Sequence, residues 1–456
     1  MEYSKPQETQ NQINKKINIS ILQSQKLFNK NTAFVLSLTS PDKLEKDSNV
    51  DLLCVIDISG SMKGQKLNQI KLSLKSIISF MTPKDRLCII LFNDNANIYL
   101  NLDFMTEETK KIYLEKIEKI KARGGTNILS GLTKALEILK EDKKNENNNE
   151  PMEEMRVKTV MLLSDGYDND YGTEEIVDEV KKITKGQNLA FTLHTFGYGE
   201  DYDSKLMSKL AIIRDGSFFA VENIDKIQEY FVNALGGCMS IIYNQIKLKI
   251  RMLKKDYKIK KIFGQDKLFQ FELKDDTFSF ENLQIISGKE YTYVFEMELP
   301  DDKYDEDDYV DVQFILNENK ENKNIVSKNR IEKMDEIKKE KANEEYLRVV
   351  VYENINDAAN LREKNKKKEA EQKLNNMKDW LQTNYKGKES YMTDVVGSLE
   401  LIKNDILFEE QGYATFASNT REKKMKRGGT SMKYSNYIQS DMIASLNKNQ
   451  AQGIDL

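Results

Sequence analysis

Histidine and cysteine are nearly absent from this chain of 456 residues, which holds one histidine, His194, and three cysteines, Cys54, Cys88 and Cys238. Zinc fingers and RING-type modules need several such ligands at close spacing, so neither can be built here. A Ser-His-Asp apparatus would rest on His194 alone, and that residue sits in the strand-like run LAFTLHTF, which marks it as a core or strand-end histidine. The cysteines are odd in number and two lie in apolar strand-like runs, the pattern of reduced core residues in a cytosolic protein. Long apolar runs are missing too: none can span a bilayer, and the polar start MEYSKPQETQNQINKK has no signal-peptide core, so a cytoplasmic location is expected. Neither charge sign dominates. Lys and Arg number 70 against 74 Asp and Glu, for a net charge of -4, and no global basic excess makes nucleic acid the main partner.

What the chain does have is concentrated between Asp51 and Lys66, DLLCVIDISGSMKGQK. An apolar run stops at Asp57, and Ile58, Ser59, Gly60 and Ser61 follow. This predicts a buried strand that delivers an acid and two hydroxyls at its carboxyl end, where open α/β sheets bind ligands. Asp-x-Ser-x-Ser offers hard oxygens without thiolate or imidazole, which suits magnesium or calcium far better than zinc. Two later stretches add to it. In ARGGTNIL, residues 122–129, a pair of glycines lets backbone approach closely and frees the Thr126 hydroxyl. In VKTVMLLS, residues 157–164, a third buried strand ends in Asp165 and Gly166. The strand-helix order places Asp57, Ser59, Ser61, Thr126 and Asp165 at one end of one sheet, where a single ion can bridge them. Asp168 and Asp170 lie beside them and read as solvated loop acids.

Enzymatic readings fit poorly. GSMKGQK, residues 60–66, misses a phosphate loop because its second glycine comes early and no Ser or Thr follows Lys66. A haloacid-dehalogenase-type phosphatase needs an aspartate where Ser59 stands. Hydroxyls without a neighbouring base are weak nucleophiles, and no histidine lies in these motifs.

Around this centre the chain divides by pattern. Residues 1–16 read as disordered, and Ile17 to Ser40 carries β alternation in two pieces before Pro41. Residues 48–240 alternate strand and helix, with Leu67, Ile70, Leu74, Ile77 and Ile78 at helical spacing and an edge strand from Ala96. A charged helix follows Thr106, with Ile112, Leu114 and Ile117 as packing positions; KEDKKNENNNEPMEE reads as a solvated loop. A closing helix from Ile224 to Leu235 is expected to stop at Gly236 and Gly237. Residues 241–318 carry β patterns and join 17–45 in an antiparallel sandwich into which the α/β domain is inserted; the acidic run 301–308 is a turn within it. From Ile325 to about 410 the expectation is helical. Three apolar stripes there dock on the sandwich: Leu347, Val350, Val351, Ile355 and Ala358, then Ala370, Leu374, Met377 and Leu381, then Val395, Leu399, Ile402 and Ile406. Residues 411–456 form a largely flexible tail with a basic patch from Lys423 to Arg427.

DISGS, GGTN and LLSDG, in that order and at that spacing, resemble a von Willebrand factor type A domain with a complete metal-ion-dependent adhesion site. The resemblance implies a Rossmann-like, doubly wound, mainly parallel α/β fold. It further implies a magnesium ion, with calcium or manganese as alternatives, held by Ser59, Ser61 and Thr126, with Asp57 and Asp165 reaching it partly through water. An open coordination position then takes an Asp or Glu carboxylate from a protein partner, and Gly60, Gly125, Asn127 and Gly166 are expected on the partner-binding rim. The implied role is protein binding without catalysis. LHTFGYGEDYDSKLMSKLA and DGSFFAVENIDKIQEYFVNALGGCMSII are similar to cytosolic type A domain proteins of plants and protists, some of them RING ubiquitin ligases. Without a RING, at most a substrate-binding role for a separate ligase carries over. A structural subunit of a cytoskeletal or ciliary assembly, with the metal site incidental, is the second reading. Nothing in the sequence signals an oligomeric state.

Overall fold

The computed structural model describes residues 18–403 apart from 24–31, 42–47, 147–155, 185–188, 190, 200–201, 215, 222–226, 254–257, 264–270, 275–276, 289, 299–309, 319–320, 329–334, 386–388, 390–391, 394, 398 and 401–402. The expectations for residues 1–16, the acidic run 301–308 and the tail 411–456 with its basic patch lie outside the described residues.

Two strands open the chain, β1 (Asn18–Gln23) and β2 (Thr32–Thr39). The α/β domain follows: β3 (Asn49–Asp57), α1 (Gln65–Phe80), β4 (Arg86–Phe92), β5 (Ala96–Phe104), α2 (Glu107–Glu118), α3 (Ile128–Glu146), β6 (Arg156–Ser164), α4 (Thr173–Thr184), β7 (Thr192–Tyr198), α5 (Ser204–Ile213), β8 (Phe218–Val221) and α6 (Ile227–Met239). Its sheet runs in the order β5-β4-β3-β6-β7-β8, parallel throughout except for the antiparallel edge strand β5. Every residue of β3 is buried, because helices cover both faces of this central strand. Side chains alternate along it with period two. Val50, Leu52, Cys54 and Ile56 join α1, α2 and α6 on one face, while Leu53 and Val55 join α3, α4 and α5 on the other.

The closing helix does not stop at Gly236. It runs through Gly236 and Gly237 to Met239, since both helix faces there are enclosed, and the Ser240 hydroxyl donates back to the Gly236 carbonyl at 2.5 Å. Other readings need correction as well. Residues 140–146 of the expected solvated loop belong to α3, held by Asp142, which accepts from Arg86 and Lys158. On α2 the buried positions are Tyr113 and Ile117, whereas Ile112 is exposed; the Tyr113 hydroxyl reaches the Asn101 carbonyl of β5.

Beyond α6, only Ser240 intervenes before β9 (Ile241–Met252), followed by β10 (Lys258–Ile262), β11 (Phe271–Lys274), β12 (Thr277–Ile286), β13 (Glu290–Glu298), β14 (Val310–Glu318) and β15 (Glu321–Lys328). They form two antiparallel sheets, β1-β2-β13-β10 and β11-β12-β9-β14-β15, so the α/β domain is an insertion between strands of a β structure. The two chain crossings are stitched together: Ser287 N–H donates to the Ser240 carbonyl at 2.8 Å and Gly288 N–H to the Pro41 carbonyl at 3.1 Å. Helix was expected from Ile325, yet residues 321–328 pair with β14 as β15. Helix begins only at α7 (Glu336–Glu363), where Asp335 caps the Lys338 N–H, and α8 (Lys367–Asn384) folds back on it. Leu347, Val350, Val351, Ile355 and Ala358 of α7, Ala370, Leu374, Met377 and Leu381 of α8, and Val395 and Leu399 share one core with Leu22, Ala33, Val35 and Val294 of the first sheet. Ile402 and Ile406 lie outside the described residues.

At the amino end of the parallel strands, opposite the motif loops, Asp51 is fully buried and shared by two arginines. Arg86 grips it through Nε and Nη2 at 2.8 and 2.7 Å, and Arg156 reaches the same carboxylate. Both guanidinium groups lie over the Phe104 ring, at 5.8 and 5.4 Å from its centroid. Removing one partner of such a cluster leaves buried charge uncompensated, which costs more than the cluster contributes net. Asp51→Ala is therefore expected to lower unfolding stability by about 3–5 kcal/mol in urea titrations; a loss below about 1 kcal/mol, the range of an exposed ion pair, would contradict the arrangement.

Candidate metal centre

Strand register assembles the site. Parallel pairing matches Ile56 with Leu163, so Asp57, the next residue of β3, comes beside Ser164 at the end of β6, and Asp165 follows at the same edge. Asp57 is completely buried. Its Oδ1 accepts the Ser59 N–H at 2.8 Å and its Oδ2 accepts the Ser164 hydroxyl at 2.6 Å. The first of these bonds curls the chain after β3 and brings the two serines together, with 3.0 Å between the Ser59 and Ser61 hydroxyls. Ser61 then donates to Asp165 Oδ1 at 2.7 Å, which joins the first motif to the third.

The second motif is clamped between the other two by backbone bonds. Arg123 N–H donates to the Ile58 carbonyl at 2.6 Å, Gly60 N–H to the Gly124 carbonyl at 2.9 Å, and Asn169 N–H to the Thr126 carbonyl at 2.9 Å. Gly124 has φ of +83°, where a side chain is strained, and a Cβ on Gly125 would sit 2.6 Å from both Asp94 Oδ1 and Asn169 Nδ2. The glycine pair thus lets this loop lie against its neighbours and leaves Thr126 buried over Gly166.

The five predicted ligands meet at one strand end. Of the residues expected on the rim, Gly60 is tied to Gly124, and Gly166 N–H points to Ser164 Oγ at 3.3 Å. Asn127 is engaged within the fold: its Oδ1 accepts the Ser130 N–H at 2.8 Å and its Nδ2 donates to Asp170 at 2.8 Å. Asp168 is not a solvated loop acid. It accepts Ile128 and Leu129 N–H groups at the start of α3 and the N–H groups of Asp170 and Tyr171 in its own loop. Three residues that bear on the site were not singled out from sequence. Ser164 holds Asp57, Asp94 accepts the Gly125 N–H at 3.0 Å, and the Lys66 ammonium lies 2.5 Å from Asp165 Oδ2. Ser164 directly precedes Asp165 in LLSDG, and Lys66 closes GSMKGQK, so both stood within reach of the motifs.

Burial is the main reason that the Asp57 carboxyl is pushed up to about 6; hydrogen bonds from Ser164 and Ser59 pull it down in part, and the charge of Asp165 adds to the rise. The donors are three hydroxyls and two carboxylates, without nitrogen or sulfur, a set that fits a hard divalent ion such as magnesium or calcium. Among the described residues no three His, Cys, Asp or Glu side chains gather into another group able to hold a metal. His194 lies away from these loops, with Nδ1 accepting the Ser217 N–H at 3.0 Å; the three cysteines are buried and form no disulfide.

The α/β domain gathers hydroxyls and carboxylates on three loops at the carboxyl end of its parallel strands. Residues 51–233 match the von Willebrand factor type A domain, and the chain carries such a domain. Over 174 residues it is 29% identical to an uncharacterised protein of Synechocystis sp. (sll0103), a match covering 38% of each chain. Over 181 residues it is 31% identical to the mouse inter alpha-trypsin inhibitor heavy chain 4, covering 39% of this chain and 18% of that one. The chain thus matches well under half the length of these relatives. Its fold beyond the α/β domain is shared with the von Willebrand factor type A structure from Catenulispora acidiphila, with a TM-score of 0.63 at 16% identity over 87% of this chain and 90% of that one. It is shared also with the ArnB paralog VWA2 from Sulfolobus acidocaldarius, at a TM-score of 0.53 and 16% identity over 89% and 97%.

The raised Asp57 value carries a sign. A carboxyl whose folded value exceeds its unfolded one contributes stability that is full below the unfolded range and lost as pH rises through about 6. In metal-free protein, Ser164→Ala removes a donor to the carboxylate and is expected to move the Asp57 midpoint, followed by carboxyl NMR, further up; an unmoved midpoint would show that this bond does not form.

Proposed function

We propose that the chain is a non-enzymatic, metal-dependent protein-binding protein whose α/β domain takes a partner's Asp or Glu side chain through a divalent ion at Ser59, Ser61, Thr126, Asp57 and Asp165. The von Willebrand factor type A domain is a protein-interaction module, which supports the broader part of this reading. The observation that carries the finer part is Asp57: a fully buried carboxylate that meets hydrogen-bond donors of Ser59 and Ser164 and no cation among the described residues. Burying a charge without a counter-charge is costly, and a hard cation beside the serine hydroxyls supplies what is missing. Magnesium, which binds oxygen and keeps some of its waters, suits a site with only two carboxylates; calcium and manganese are the alternatives.

Bound there, the ion supplies an exchangeable position for a carboxylate oxygen. The chain's own residues do the rest. Ser164 and the Ser59 N–H fix Asp57, Asp168 fixes the loop that clamps Thr126, and Ser61 orients Asp165. Around them the rim exposes Tyr167 at 63% and Tyr171 at 44%, flat amphipathic side chains of the kind that dominate interface energetics. No helix among the described residues is long and apolar enough to cross a membrane. A cytoplasmic setting belongs to this proposal.

Native protein purified with and without chelator identifies the partner as the component lost on chelation. Against that partner, Asp57→Ala combined with Ser59→Ala is expected to weaken binding about a hundredfold, on the scale of lost metal ligation, with the circular dichroism of a folded α/β domain retained. Unchanged binding in the double mutant would overturn the proposal. Magnesium affinity should also fall as pH drops below about 6, because the ion must displace a proton from Asp57.

A further inference from the structure

The two carboxylates of the site are treated differently. Asp57 has hydrogen-bond donors only, whereas Asp165, whose side chain is fully buried, accepts Ser61 on Oδ1 and the Lys66 ammonium on Oδ2. Lys66 stands in the first turn of α1, where the helix macrodipole opposes a cation and no acidic side chain offsets it. Its position is therefore maintained by what it faces. The Lys66 side chain is 31% exposed, and its ammonium lies 5.8 Å from the Tyr198 ring centroid and closes on Asp165 at 2.5 Å. This gives it one anchored side and one side open to water. Asp57, Asp165 and Lys66 together carry a single net negative charge, which a divalent ion converts to a single net positive one; the adjoining loops add Asp94, Asp168 and Asp170 of one sign and Lys63 and Arg123 of the other.

We propose that Lys66 is a tethered cation of the site: it compensates Asp165 when no metal is present and remains beside the metal as a fixed positive charge that lowers metal affinity while making the loaded site attractive to an anion. The inference rests on the metal reading above and assigns a residue that the three motifs do not contain. Two carboxylates alone would neutralise a divalent ion, leaving nothing electrostatic to draw a partner's acid. With Lys66 the ion and its two carboxylates form a centre of net positive charge, which favours a partner's carboxylate at the ion itself. The same charge repels the incoming ion across a partly buried, weakly screened distance, so metal loading is weaker than oxygen ligation alone allows.

Full-length wild type, Lys66→Met and Lys66→Arg are compared by thermal melting in EDTA and in magnesium chloride, and by calorimetric titration with magnesium alone. Lys66→Met is expected to melt several degrees lower in EDTA, because Asp165 loses its buried partner, yet to gain more from magnesium than wild type and to bind it about tenfold more tightly, as removal of one nearby charge implies. Lys66→Arg should keep wild-type values. Equal or weaker magnesium binding by Lys66→Met would overturn the role given to Lys66 while leaving the metal site standing. If wild type itself neither binds magnesium nor melts higher in it, the metal reading falls and this inference with it.

Discussion

One buried carboxylate imposes most of the architecture around it. Asp57 ends a strand with no exposed residue, and a charge there is tolerable only if every neighbouring group is placed to meet it. Ser164 arrives by the parallel register of β3 with β6, and the Ser59 N–H arrives by the turn that the carboxylate itself organises. Parallel strands require helical crossovers, and those crossovers cover both faces of the sheet. The same geometry delivers Ser61, Thr126 and Asp165 to one edge. Site and fold are two consequences of one strand ending in an acid.

A second polar cluster holds the far end of the same strand. Asp51 lies six residues earlier, equally buried, but it is met by two arginines and needs nothing from outside the chain. At Asp51 the charges close among themselves. Lys66 pairs with Asp165, and no cation among the described residues pairs with Asp57.

The fold was legible where hydrophobic period was strong. The apolar runs of β3, β4 and β6 and the stripes on α1, α7 and α8 read directly, because burial on two faces or one leaves a plain pattern. Errors fell where local residue type pointed one way and tertiary contacts another. Gly236 and Gly237 signal a helix end, yet packing on both sides carries α6 through them. KEDKKNE signals loop, yet Asp142 is drawn into the Arg86 and Lys158 network and α3 extends with it. The gathering of Asp57, Ser59, Ser61, Thr126 and Asp165 was expected from three motifs at strand ends. Lys66, Ser164 and Asp168 were harder, since a lysine, a serine and a loop aspartate are common, and only three-dimensional placement shows that each is aimed at the centre or its supports. Tyr167 and Tyr171 stand exposed beside these loops, and no sequence period marks them.

The central proposal is that a divalent ion completes the charge balance at Asp57. A crystal structure of the full chain grown in magnesium or manganese measures this directly. Density for one ion within reach of the Ser59, Ser61 and Thr126 hydroxyls, with Asp57 and Asp165 behind them, is the predicted result. Well-ordered loops at saturating metal with no ion among those five residues would contradict it.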